Sequence, residues 1–277
     1  LHFARLELED GAVVERVISS SDPTWHLQGT GTEAAPADAP SGSTLGRYLL
    51  LGIEHILTGW DHLAFVIALL LLAGTLGEVA RLVTGFTIAH SVTLALAVLG
   101  LVHPEAQAVE AVIGFSVALV GVENGWVLAG RGRALPWIVT AGLSLATLLA
   151  VAGAGTLSAM TLAGLTIFTA SHFALLSRAE RPARWRAVLA FAFGLVHGFG
   201  FAGVLSEMTL PTARLAPALF GFNLGVEIGQ LAVVLLVWPL LQVLARRRGD
   251  RARRLTAEFA SAAIFCIGLV WFLTRAF

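Results

Sequence analysis

Long apolar runs interrupted by single polar residues dominate the chain from about residue 46 onward. The first contains the segment 52–72, GIEHILTGWDHLAFVIALLLL, which carries Glu54, His55, Asp61 and His62. A helix needs ~20 apolar residues to cross hydrocarbon. On that measure the pattern predicts eight spans, at about 46–74, 80–101, 106–129, 135–153, 157–177, 185–206, 215–244 and 256–275. The first is longer than a crossing requires, and its amphipathic start is expected at the interface. Ahead of the runs, residues 3–8 and 13–18 have short β-type character around Asp10-Gly11, a hairpin signal, and 24–27 is a candidate third strand. So small a sheet is marginal alone, and it is read as the end of a larger extramembrane domain. Residues 29–44, GTGTEAAPADAPSGST, have linker composition. The predicted organisation is an extracytoplasmic β segment at 1–28, a linker at 29–45 and an all-α polytopic membrane domain of seven or eight helices at 46–277.

Composition agrees. Of 277 residues 57% are hydrophobic and only 13% charged, against about 25% charged in a soluble domain. The net charge is zero, so nothing points to nucleic acid as a partner. The lone Cys266 excludes a disulfide framework and a thiolate metal cluster. The first residue is Leu and no signal peptide is visible, so the chain is read as a processed protein or a fragment of a longer one. Arginines alternate between loops: Arg81 after span one, Arg131 and Arg133 after three, four from Arg178 to Arg186 after five, and six from Arg246 to Arg254 after seven. The positive-inside rule makes these loops cytoplasmic and both termini external.

That topology assigns depths. His55, Asp61 and His62 fall in the outer half of span one, and His90 near the middle of span two. Glu110 falls at the outer end of span three, His197 in mid-span six, and Asn223 and Glu227 in the outer half or middle of span seven. His172 lies deeper. Ionisable groups in hydrocarbon cost roughly 2.5–3.5 kcal/mol each on insertion scales, so such a set is expected to be functional. His55 and His62, seven apart, share one face of a straight helix about 10.5 Å apart along its axis. That is stretched for one ion but suits two steps of a path. Asn223, Glu227 and Gln230 form one polar stripe. Gly194, Gly198, Gly200 and Gly203 around His197 suit close helix packing, and His90 has Thr87, Ser91 and Thr93 beside it for interhelical hydrogen bonds.

Imidazole with carboxylate is the donor set of a borderline divalent ion such as Ni²⁺, Co²⁺ or Zn²⁺. Asp61 or Glu227 is placed to orient an imidazole or balance charge. No zincin pair, nucleophile elbow or Walker motif is present. His2, His26 and His103 read as surface residues, His172 reads equally as packing, and Glu123 and Asn124 read equally as interfacial. TIAHS (87–91) and TASHF (169–173) hint at an inverted repeat.

Three functions fit these residues. The first is a transporter, because midplane polar sites on several helices are usual for transporters. The second is an intramembrane hydrolase in which His62, His90 and His197 hold Zn²⁺ with an open position. Asp61 or Glu227 would then be its general base, and Ser91 would steady an oxyanion. The third is a metal sensor or assembly partner, with the β segment as its binding module.

The chain also resembles the HupE/UreJ family of bacterial membrane proteins, in its longer branch with an N-terminal extracytoplasmic region. The resemblance rests on His55-ILTGW-Asp61-His62, GFTIAHSVTLALA (85–97), VEAVIGFSVALVGVEN (109–124), FGLVHGFGFAGVL (193–205) and FNLGVEIGQL (222–231). It implies secondary uptake of Ni²⁺ or Co²⁺ across a bacterial inner membrane, with a metal-path role for His55, Asp61 and His62. Metal ion and membrane lipid are then the partners, and a homo-oligomer is allowed. The family's shorter permeases carry a second motif, F-H-G-x-A-H-G-x-E; the nearest stretch here, LVHGFGFAGVL, has one histidine.

Overall fold

The computed structural model describes residues 2–7, 13–18, 44–179, 182–203 and 212–277, with side chains from 45 onward except 212–214 and 245–248. His2–Glu7 (β1) and Val13–Ile18 (β2) pair antiparallel, His2 opposite Ile18 and Glu7 opposite Val13. Leu8, the Asp10-Gly11 turn, the candidate strand 24–27 with His26, and the linker up to residue 43 lie outside the described residues.

The rest is helical: α1 (Thr44–Thr58), α2 (Trp60–Leu72), α3 (Leu76–Val98), α4 (Ala106–Leu128), α5 (Ala134–Val151), α6 (Ala159–Arg178) and α7 (Pro182–Gly200). The final helical run, Thr212–Ala276, is broken at Gly249, where φ is 77°. Its two arms, Leu215–Leu244 and Gly249–Ala276, are α8 and α9. Local chemistry sets several starts. The Thr75 hydroxyl accepts from Glu78 N while Glu78 reaches back to Gly74 N, a capping box that opens α3. Pro182 opens α7, where a missing N–H costs nothing.

Six described helices are long and apolar enough to cross a membrane, and a seventh crossing results if α1 and α2 count as one bent span. The difference from eight is α7, which corresponds to the expected span at 185–206. It ends at Gly200 and carries Arg184 and Arg186 near its start. It nevertheless runs beside α3 in the same direction: a Cβ at Gly194 would collide with Phe86 O, and one at Gly198 with His90 O. In the same way α1 runs parallel to α8, Leu49 O blocking a side chain at Gly225. α4 runs antiparallel to α9, with Gly114 against Phe272 and Gly121 against Phe265. Lipid gives helices no hydrophobic reason to associate, so such small-residue seams bring the backbones close enough for dispersion to hold them.

α5 turns most of its apolar surface outward, with Trp137, Ile138 and Leu148 exposed, as a lipid-facing helix should. The buried centre belongs to α2, α3, α4 and α7, where Phe65, Phe86, Phe115 and Phe193 pack together.

Candidate metal centre

The centre is built on a break in the first span. Gly59 (φ −78°, ψ 95°) interrupts the helix, and α1 and α2 meet at 71°. A Cβ on Gly59 would come within 2.8 Å of His55 O and 3.0 Å of His62 Nδ1, so the corner leaves no room for a side chain. The bend overturns the straight-helix spacing: the His55 and His62 rings lie edge to face with centroids 4.7 Å apart. His90 from α3 comes to 6.1 Å and His197 from α7 to 5.2 Å of the His62 ring. His62, His90 and His197 are buried.

Hydrogen bonding fixes which nitrogen of each ring is left bare. His62 Nδ1 lies 3.0 Å from Asp61 Oδ1, and a carboxylate only accepts, so Nδ1 carries the proton. Asn223 Nδ2 donates to Leu219 O at 2.8 Å, which turns its oxygen toward His90 Nδ1 at 3.4 Å. The Ser116 hydroxyl donates to Ile113 O at 2.7 Å and therefore accepts from His197 Nε2 at 2.9 Å. The nitrogens left over are His62 Nε2, His90 Nε2 and His197 Nδ1. Each is buried without a hydrogen-bond partner among the described residues, and so is His55 Nε2. A buried polar atom left unpaired costs about 1–3 kcal/mol. These nitrogens sit on rings whose centroids lie 4.7–6.2 Å from a neighbouring histidine, a grouping able to hold a cation.

Two ligand sets share His62. One is His55, His62 and His90, and the other is Asp61, His62 and His197; within each, the donor atoms lie within 4.8 Å of one another. Zinc–nitrogen bonds of 2.0–2.1 Å would require each ring to move in by less than about 1 Å.

A cavity of about 340 Å³ reaches His55, Asp61, His62 and His197 from the end of the bundle where α4 begins and α9 finishes. Trp60, Glu110 and Arg275 also line it, and Arg275 Nε donates to Glu110 Oε2 at 2.7 Å.

The other expected site residues take different places. Asn223 supports His90. Glu227 lies outside both ligand sets, its Oε1 accepting from Thr84 at 2.6 Å and its buried Oε2 bare. Gln230 accepts from Thr87 at 2.9 Å. Ser91 donates to Thr87 O of its own helix at 2.7 Å. His172 is remote from the centre and pairs with Glu123.

The sequence reading missed Ser116 and Arg275. Ser116 is one hydroxyl in an apolar helix and carries no signal. Arg275 sits at the edge of the last apolar run, where interfacial arginine is ordinary.

These features define a class: an all-α, multi-pass membrane protein with a buried histidine–carboxylate cluster. The family described as HupE / UreJ protein matches at residues 32–167 and again at 139–275, and the chain belongs to the HupE/UreJ family. No curated protein and no solved structure matches it. The two matched stretches begin 107 residues apart, at 32 and 139. That is also the spacing from Phe86 to Phe193 and from His90 to His197. The same spacing separates residues of α3 and α7, which run side by side in one direction.

Proposed function

We propose that the protein is a divalent metal permease, with Ni²⁺ or Co²⁺ as substrate. The observation that carries this is the pair of ligand sets that share His62, together with a buried bare nitrogen on each of His55, His62, His90 and His197, three of them with a partner on the other ring nitrogen. Neutral imidazoles with one carboxylate and no thiolate favour a borderline ion over Mg²⁺ or Ca²⁺. The ion enters the cavity past Glu110 and Arg275, exchanges water for Asp61, His62 and His197, and passes to His55 and His90. His62, common to both sets, hands it over. Glu227, one turn beyond Asn223 on α8 and with a bare oxygen, is the next carboxylate on the route. With the arginine-rich loops in the cytoplasm, the cavity opens outside a bacterial inner membrane and the N-terminus is extracytoplasmic.

A zinc hydrolase is not favoured. Glu227 lies outside both ligand sets, and Ser91 is spent on its own helix. The test is uptake of Ni²⁺ or Co²⁺ into vesicles carrying the full chain, the Asp61→Ala variant or the His62→Ala variant. Uptake lost in both variants supports the permease; undiminished uptake in either excludes this route.

A further inference from the structure

A second polar centre lies toward the end of the bundle where α2 finishes. Glu123 on α4 is the one fully buried carboxylate residue among those described, its side chain 2% exposed. His172 Nε2 on α6 lies 3.0 Å from its Oε2, and Arg186 Nε on α7 donates to its Oε1 at 2.7 Å. Arg186 also donates through Nη1 to Leu72 O at 3.4 Å, and the neighbouring Asn124 donates to Ala68 O at 2.7 Å. Both carbonyls belong to the last residues of α2, whose first turn carries Asp61 and His62. The two centres thus hold opposite ends of one 13-residue helix.

His172 also lines a cavity of about 130 Å³ between α6 and α7, walled by Phe168, Leu175 and Trp185. It connects that space to the buried carboxylate. A repeated triplet adds a contrast. Glu123 and Glu227 each close a Gly-Val-Glu triplet, at 121–123 and 225–227. Glu227 keeps a bare oxygen, whereas Glu123 is held by a guanidinium and an imidazole. Carboxylates and histidines arranged like this inside a membrane bundle serve as proton relays in pumps and transporters.

We infer that Glu123, supplied by His172, is a proton-binding site that couples metal movement to a pH gradient; this rests on the permease reading above. With Glu123 ionised, Arg186 is held between the carboxylate and the C-terminal carbonyls of α2, where a cation is favoured. A hydronium ion reaching the cavity gives a proton to His172 Nδ1, one O–H bond breaking as one N–H bond forms and water being left, and Nε2 releases its proton to Glu123 Oε2. In that second transfer one N–H bond breaks and one O–H bond forms, and the imidazole ends neutral with its proton on Nδ1. Arg186 is then an uncompensated cation in apolar surroundings, and it withdraws from Glu123 and Leu72. α2 turns about Gly59 and carries Asp61 and His62 away from His55 and His90. The groups facing Glu123 are Arg186 from α7, His172 from α6, Asn124 on α4 and the α2 carbonyls. Proton and metal therefore occupy the protein in alternation.

The test is nickel uptake by the full chain in proteoliposomes, with no pH gradient and with a gradient of about one unit in either direction, worth roughly tenfold per coupled proton. Acid inside is expected to speed uptake by the parent and acid outside to slow it. His172→Gln should bind nickel in detergent as the parent does, yet lose the gradient response. Glu123→Gln should lose the response and bind more weakly. If the parent responds and His172→Gln responds equally, or if the parent transports without any response, the coupling site is overturned and the permease reading stands. No uptake by the parent overturns both.

Discussion

His55 and His62 meet edge to face with ring centroids 4.7 Å apart, although seven residues of straight helix would separate them by about 10.5 Å along the axis. The 71° corner at Gly59 makes one site of what would otherwise be two. A Cβ there would press on His55 O and His62 Nδ1. Overpacking of this kind costs about 1–3 kcal/mol, roughly 5- to 150-fold in affinity where it falls on the bound state. Gly59→Ala is therefore expected to leave a folded protein with nickel binding weakened to that extent. Calorimetric titration of the purified chain measures it; unchanged affinity would show that the corner tolerates a side chain.

Ser116 and Asn223 touch the imidazoles from behind and set which nitrogen is bare. Loss of such a partner typically weakens metal binding about 10–100-fold. Ser116→Ala and Asn223→Ala should each fall in that range. Ser91→Ala should not, because its hydroxyl is engaged with Thr87 O. Equal effects from all three would argue against specific orientation.

Much of this was legible in the chain. Apolar runs located the helices, and the structure sets the His90 and His197 rings 6.1 and 5.2 Å from that of His62. The corner at Gly59 was not, because helical spacing was extrapolated through a Gly-Trp step that breaks it. The Glu123 centre escaped for another reason. Glu123 and His172 stand 49 residues apart and Glu123 and Arg186 63 apart. Each has an ordinary explanation alone, as interfacial charge, packing histidine or loop arginine. Only the α4–α6–α7 packing shows that they neutralise one another.

At the cavity mouth Glu110 cancels the charge of Arg275. Both side chains are well exposed, so the pair adds little stability, at most about 1 kcal/mol. Its effect is on the field that an approaching cation meets. Glu110→Ala leaves the arginine unopposed and should slow nickel association, most at low salt, with little change in unfolding temperature. A stopped-flow series at increasing ionic strength checks this; a rate independent of both the substitution and salt would remove the mouth from the route.

Protons compete with metal for imidazole nitrogens, so affinity should fall as pH falls. Ligand binding to the native state alone raises stability by mass action. Nickel should therefore raise the unfolding temperature at neutral pH, and the increase should vanish in acid or after chelation. An increase that persists in acid would place the ion on other ligands.

The central claim is that the bare nitrogens of the histidine cluster hold a divalent ion. X-ray absorption at the nickel edge, with metal content, on the purified full chain and on His62→Ala tests it most directly. One ion per chain is expected, with several nitrogen neighbours near 2.0–2.1 Å, and it should be lost in His62→Ala because both ligand sets share that residue. A parent that takes up neither nickel nor cobalt, or a variant that holds the ion as tightly as the parent, would contradict the claim.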